Sequence, residues 1–226
     1  MPIIELKNDA ITPSLNECRA ALEKYGVPPA DLIVRYVHYL MDENSRINLT
    51  GAKTADEFVL KHVADAWRAI DAIGTLPGML FDVGSGGGLP GIPLAIFRPN
   101  SEIVLVERRE KKAASLDRLV SKLGLEGRVR VQCRSFEMLP SFPKDAEYWF
   151  RGFLPGPKLA VYFSQAFPTG KLPPVVLMKG PNWATEKVEI LSTPRVRSVW
   201  LERFSESQEI DYELPGGAGI RKLVLV

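Results

Sequence analysis

Cysteine and histidine are scarce in this chain of 226 residues, with two of each. Cys18 and Cys133 stand far apart and without CxxC spacing, so neither a disulfide framework nor a zinc site is indicated and no metal is expected. No stretch approaches the roughly 18 consecutive apolar residues of a membrane span. The first ten residues, MPIIELKNDA, have neither a basic n-region nor a long apolar h-region. These absences point to a reduced, cytoplasmic protein without a membrane partner. Charge of one sign is lacking too: 29 Lys and Arg against 27 Asp and Glu leave a net +2, weak support for a polyanionic partner. Internal repeats and low-complexity tracts are absent. What is present is 46% hydrophobic residues, enough over this length to bury a real core.

Residues 14 to 74 carry helical signals. Ser14 can cap LNECRAALEKYG, and Gly26 with Pro28 and Pro29 ends that element. ADLIVRYVHYLMDENSRINLT follows with apolar residues three and four apart, and TADEFVLKHVADAWRAI predicts a third helix that Gly74 stops. From Gly78 short apolar runs alternate with helical stretches: MLFDV, a helix near 90–98, EIVLVE, a helix over 110–123, RVRVQ, then AEYWF. That alternation predicts a parallel sheet with crossover helices. A helix near 156–167, the loop PTGKLPP and the strand VVLMKG come next. RSVWLERFS and IRKLVLV are two late β candidates, expected to pair antiparallel at the sheet edge. The expectation is an α/β fold with a mostly parallel seven-stranded sheet, an antiparallel edge and an N-terminal helical extension. The division falls at residues 1–75 and 76–226, packed as one globular unit.

The stretch FDVGSGGGLPGIP, residues 81–93, holds five glycines and two prolines directly after an apolar run. Glycine lets main chain approach a ligand closely and a helix start offers free N–H donors, so such a loop suits a nucleotide-like ligand. Two readings compete. From Gly86, GGGLPG satisfies GxGxxG with Glu107 21 residues on, as a dinucleotide site of an NAD-dependent oxidoreductase would have it. From Asp82, the stretch reads D-x-G-x-G-x-G with the same Glu107 ending the second strand, the arrangement of S-adenosylmethionine (AdoMet) methyltransferases. A strand-end carboxylate for ribose hydroxyls fits both. Asp82 separates them, since a carboxylate there opposes a pyrophosphate but suits the ammonium end of AdoMet. Pro90 removes an N–H that a pyrophosphate would use. Both points favour AdoMet. A tight strand-to-helix turn with no ligand is the plain alternative, at an entropic cost for so many glycines.

INLTGAKTADEFVLKHVADAW running into LFDVGSGGGLPGIPLAIFRP resembles the RsmG (GidB) family of bacterial 16S rRNA guanine-N7 methyltransferases, and the likeness continues through VERREKKAASLDRL, LMKG and RKLVLV. SGGGLPGIPLAI is its most specific part. The resemblance implies a Rossmann-like class I methyltransferase that uses S-adenosylmethionine on 16S rRNA or the small ribosomal subunit. By the same resemblance Asp82, Gly84, Ser85, Gly86 and Gly88 form the cofactor loop and Glu107 accepts from the ribose. Ser135, Phe136 and Glu137 lie beside the adenine, and Arg151 matches the arginine of an Arg-Ala motif next to the target base. Here the sequence departs, because Arg151-Gly152-Phe153 replaces Arg-Ala. Asn48, His62 and Asp65 match N-terminal motifs, although KHVADAW follows the Arg-His-x-x-Asp-Ser pattern loosely. Lys179 matches a Leu-Lys-Gly element, facing substrate or closing its strand.

Methyl transfer to guanine N7 needs no general base, so the lack of an acid/base dyad or a Ser-His-Asp set fits this substrate. No Asn-Pro-Pro-Tyr or Asp-Pro-Pro-Tyr segment for amino-group methylation occurs, and Cys133 lacks the Pro-Cys context of a C5-cytosine nucleophile. Arg151 is read as stacking on the base or holding a phosphate, with a surface salt bridge as the plainer role. Arg108, Arg109, Lys111 and Lys112 gather where a helix starts and acids are preferred, which suggests contacts to rRNA phosphates. Arg195 and Arg197 read equally as solvated charges. His62 and Asp65 share a helix face at i, i+3, and a hydrogen bond tying the helical extension to the sheet domain is expected of His62 before a substrate contact. Trp183 is expected in a loop after the fifth strand. No heptad or interface stripe appears, so a monomer is expected. Another RNA, a small molecule, or a binding module without catalysis are the alternatives on the function side.

Overall fold

The computed structural model describes residues 12–139, 143, 145–167 and 172–226. Ser14 caps the first helix, α1 (Leu15–Lys24), in a capping box. Its hydroxyl accepts from the Glu17 N–H and its own N–H donates to the Glu17 carboxylate at 2.7 Å. The amphipathic α2 (Asp31–Arg46) follows. The expected third helix is three contiguous pieces: α3 (Ala55–Phe58), a five-residue π-helical stretch Val59–Val63, and α4 (Ala64–Ile73), which stops at Gly74 with φ +75°.

Strand and crossover helix then alternate as β1 (Met79–Val83), α5 (Gly91–Phe97), β2 (Glu102–Val106), α6 (Glu110–Leu123), β3 (Val129–Gln132) and β4 (Ala146–Arg151). After β4 come α7 (Gly156–Ala166), β5 (Val175–Lys179), α8 (Trp183–Ser192), α9 (Pro194–Phe204), β6 (Gln208–Glu213) and β7 (Ile220–Leu225). The seven strands are ordered β3-β2-β1-β4-β5-β7-β6. The first five are parallel, and β7 runs antiparallel to both β5 and β6.

Period-two alternation divides the core between the two faces of this sheet. Leu80, Leu105, Trp149 and Leu223 point to the side covered by α1, α2, α4, α5 and α6. Phe81, Val106, Phe150 and Val224 point to the side covered by α7, α8 and α9. The first of these clusters runs without a break from Cys18 and Leu22 of α1 to Leu223 of β7, so the N-terminal helices share a core with the sheet.

Two late elements differ from expectation. RSVWLERFS is not a strand but lies in α9, because Val196, Val199, Trp200 and Phe204 recur three and four apart and Pro194 stands at the helix start. The antiparallel partner of β7 is instead β6, which reads as polar because only Ile210 and Tyr212 interrupt its charges. Trp183 lies not in a loop but at the start of α8, 3% exposed and 5.7 Å from the Trp200 ring. The expected loop PTGKLPP lies partly outside the described residues.

Candidate active site

The glycine stretch turns directly off the end of β1 and is tied to β2. The N–H groups of Gly84 and Ser85 both donate to the Val106 carbonyl, at 2.8 and 3.1 Å, and the Ser85 hydroxyl donates back to the Asp82 carbonyl. Gly84, Gly86 and Gly88 take φ of +77°, +56° and +82°, the left-handed region that favours glycine. Space excludes a side chain at two of them as well: a Cβ on Gly84 would lie 2.9 Å from the Phe153 ring and one on Gly88 2.5 Å from the Ile92 side chain. The buried Tyr36 of α2 donates its hydroxyl to the Gly87 carbonyl at 2.9 Å, so the helical extension holds this loop from behind.

A cavity of about 460 Å³ opens beside the loop. Gly84 and Gly86 form one wall, and Glu107, at the end of β2, forms the edge next to them. The Glu107 carboxylate accepts from the Gly86 N–H at 3.1 Å and from the Arg109 N–H at 2.9 Å, one on each oxygen. Each oxygen keeps a second lone pair for a ligand hydroxyl. Ser135, Phe136 and Glu137 form the opposite wall, with Glu137 accepting from the Tyr162 hydroxyl at 2.6 Å. Arg108, Arg109, Lys112 and Arg134 also line the cavity. Phe136 is itself 1% exposed and packs edge-on against Phe150.

Asp82, Ser85 and Gly88 lie behind the loop rather than on the cavity surface. The Asp82 Oδ2 accepts from the Gly91 N–H at 2.9 Å, while its Oδ1 is buried without a hydrogen-bond partner. Burial pushes this carboxyl up to about 7, against the opposing pull of the Gly91 N–H and the nearby Ser85 hydroxyl.

A second cavity, about 410 Å³, shares the wall Gly152, Phe153 and Leu154 with the first. Arg151 lines it from the end of β4 and is held in a network. Its Nε donates to Asp65 at 2.9 Å, and its Nη2 meets the Lys61 carbonyl and the His62 Nδ1, each at 2.9 Å. His62 Nε2 meets the Thr50 hydroxyl at 2.8 Å, and Tyr212 of β6 donates to Asp65 at 2.7 Å. The π-helical turn contains His62 and ends two residues before Asp65, in keeping with the tendency of such turns to occur at functional sites. Burial, reinforced by the Arg151 charge, lowers the His62 imidazole to about 3, so it stays neutral. His62 therefore links the helical extension to the sheet, through Arg151.

Lys179 ends β5, 7% exposed, and also lines the second cavity, where its Nζ donates to Glu186 at 2.8 Å. Asn48 is exposed and lines neither cavity. Its neighbour Asn44 shapes that segment, its side-chain oxygen accepting from the N–H groups of Leu49 and Thr50, both at 2.8 Å. Tyr36, Glu186 and Tyr212 carry no sequence signal for the site, because each reaches it from a distant part of the chain. Gly152 takes φ +58°, so the Gly that departs from the Arg-Ala pattern occupies a left-handed position that alanine would strain. Among the described residues no group of three or more His, Cys, Asp or Glu could hold a metal ion, and no helix is long and apolar enough to cross a membrane.

A mostly parallel seven-stranded sheet with an antiparallel β7 and a cavity beside the first strand's glycine loop is the Rossmann-like fold of class I methyltransferases. A solved structure of a putative O-methyltransferase from Klebsiella pneumoniae has the same fold at 14% identity, with a TM-score of 0.50 over 84% of this chain and 89% of that one. The profile of rRNA small subunit methyltransferase G, GidB, matches residues 30–207, and the chain belongs to that family. The ribosomal RNA small subunit methyltransferase G of Paracoccus denitrificans is 35% identical over 155 residues, 68% of this chain and 78% of that protein. The protein of the same name from Solibacter usitatus is 29% identical over 215 residues, 88% and 92% of the two chains. Family membership settles the choice between the two readings of the glycine loop in favour of S-adenosylmethionine.

Proposed function

We infer that the protein transfers a methyl group from S-adenosylmethionine to N7 of a guanine in 16S rRNA, acting as a monomer in the cytoplasm. The observation that carries this reading is the pair of adjoining cavities, one beside the glycine loop and Glu107, the other separated from it by Gly152, Phe153 and Leu154.

The first cavity suits the cofactor. The positive-φ glycines leave room for a ligand against the main chain, and the unpartnered Oδ1 of Asp82 lies under the loop, where the ligand's ammonium group would offset it through water. Glu107 would take the ribose hydroxyls, and the Ser135 to Glu137 wall would lie along the adenine. AdoMet, when bound, supplies a methyl group on a positively charged sulfur. Guanine N7 already carries a lone pair, so no residue has to remove a proton. The chain contributes alignment of the base with the methyl group and exclusion of water.

Arg151 has its Nε and Nη2 bonded to Asp65, Lys61 and His62, which supports a positioning role in shaping the second cavity over direct stacking on the base. Arg108, Arg109 and Lys112 at the mouth of the first cavity would meet rRNA phosphates, making binding fall steeply with salt.

The test is transfer of labelled methyl from S-adenosylmethionine to small-subunit rRNA, both naked and within the 30S particle, with mapping of the modified base. N7-methylguanine is the expected product. AdoMet binding without transfer to either substrate would overturn the rRNA assignment and leave the cofactor assignment standing.

A further inference from the structure

The second cavity has a polarity that methyl transfer alone does not require. Lys179 and Glu186 line it on the part not shared with the cofactor cavity. Both are held in place. Lys179 has a side chain only 8% exposed and its ammonium stands 5.0 Å from the centre of the Trp183 ring. Glu186, in the first turn of α8, accepts on Oε2 from Lys179 Nζ at 2.8 Å and from the Gly156 N–H at 2.7 Å. A Cβ at Gly156 would lie 3.0 Å from that same oxygen, so the main chain of α7 packs directly on the carboxylate. Both bonds fall on Oε2, and Oε1 is the oxygen that remains to accept from a base.

The cavity wall thus presents a fixed cationic donor beside an anionic acceptor. Guanine presents the complement on its Watson–Crick edge, where the O6 acceptor is followed by the N1–H and N2–H2 donors. Adenine presents the reverse, an N6 amino donor followed by the N1 lone pair. We propose, resting on the guanine-N7 reading above, that the Lys179–Glu186 pair reads the Watson–Crick edge of the target base, with Glu186 accepting from N1–H and N2–H2 and Lys179 donating to O6. N7 lies on the adjoining Hoogsteen edge, beside O6, so contacts confined to the Watson–Crick edge leave its lone pair free. A base docked by this edge in the second cavity keeps N7 open to a methyl donor held across the shared Gly152–Leu154 wall. An adenine in the same pose sets its amino group against the ammonium and its N1 lone pair against the carboxylate, and is rejected because those charged groups lose their partners.

The test compares small-subunit rRNA carrying guanine at the mapped target with the same RNA carrying inosine, which lacks only the N2 amino group. The wild-type chain is expected to lose about tenfold or more in kcat/KM on inosine, the scale of one well-made base-edge contact. In Glu186→Gln the rate on guanine falls toward that on inosine, and the ratio between the two RNAs shrinks to about threefold or less. AdoMet affinity by calorimetry serves as the control and is expected to stay unchanged, while the thermal midpoint falls because Lys179 loses its charged partner. Equal rates on guanine and inosine for the wild-type chain overturn the proposal without any variant, so a Glu186→Gln protein that fails to fold leaves the question decidable. A full inosine penalty retained in a folded Glu186→Gln overturns it as well. No N7 product on the guanine RNA overturns the rRNA reading itself, a result distinct from indifference to inosine.

Discussion

Asp82 and His62 are two titratable side chains that the fold pushes in opposite directions on the pH axis. The unfolded chain gives up the Asp82 proton near 3.8, whereas the buried, half-partnered carboxyl of the folded state holds it to about 7. Between those values the folded state binds more protons, so this residue lowers stability as pH rises. His62 is neutral in the fold down to about 3 against an ordinary 6.5, so its contribution is fully present above 6.5 and is lost as pH falls toward 3. The two effects oppose each other over much of the same window, and a variant is needed to separate them. Without cofactor, Asp82→Asn should gain thermal stability relative to the wild type as pH is raised from about 5 to about 8, because the amide keeps the Gly91 bond and carries no charge. A difference between the two proteins that ignores pH would mean that Asp82 is ionised throughout. Glu107→Ala should weaken AdoMet binding by about 1–3 kcal/mol through lost charged hydrogen bonds; unchanged affinity by calorimetry would remove Glu107 from the site. Both carboxylates were legible in the sequence because a charge at the end of an apolar run has to face something. Tyr36 and Glu186 were not, since an isolated Tyr or Glu looks alike whether it meets solvent or a main-chain group far along the chain.

The glycine loop and α5 work as one element, and Gly91, where they join, is not equivalent to a glycine elsewhere in the chain. At Gly91 a side chain would run into the Leu105 and Asp82 side chains, whereas at Gly127, between α6 and β3, nothing lies within 4 Å. Gly91→Ala should cost about 1–3 kcal/mol in urea unfolding, and Gly127→Ala should stay within about 0.5 kcal/mol of the wild type. Equal effects would mean that the loop and α5 can shift apart to admit a methyl group. The parallel strands β1, β2, β4 and β5 could be read from the sequence because strands buried on both faces are largely apolar runs, and β3, at the sheet edge, showed instead as the alternation of Val129 and Val131 with polar residues. The swap at α9 and β6 has the opposite cause. An edge strand such as β6 buries little and keeps its charges, while α9 lays Trp200 and Phe204 on the sheet and so looks as apolar as a strand when its period is overlooked.

Across the whole molecule, Arg151 is the point where the N-terminal helices, β4 and β6 meet. Removing its guanidinium leaves the carboxylate of Asp65, 5% exposed, with the Tyr212 hydroxyl as its side-chain partner among the described residues. Arg151→Ala should therefore destabilise the protein by about 3 kcal/mol, and Tyr212→Phe by about 1 kcal/mol. Methyl transfer should fall in Arg151→Ala even at temperatures where the variant is folded; full turnover with unchanged urea midpoint would reduce the network to a surface ion pair. The sequence placed Arg151 at a strand's carboxyl end, where open α/β sheets bind ligands, but could not show that its charge is met by groups some 90 residues earlier.

The strand order carries a consequence for synthesis. Strand β7 lies between β5 and β6, although β6 precedes it in the chain. A nascent polypeptide that has emerged only as far as Glu213 therefore holds β6 with nothing to pair it, and the edge of β5 stays open until Ile220 to Leu225 arrives to fill the gap. Ribosome-bound chains arrested ahead of residue 220 should be cut by protease within 208–213, and chains extended beyond β7 should resist, so that Tyr212 reaches Asp65 only when translation has passed both strands.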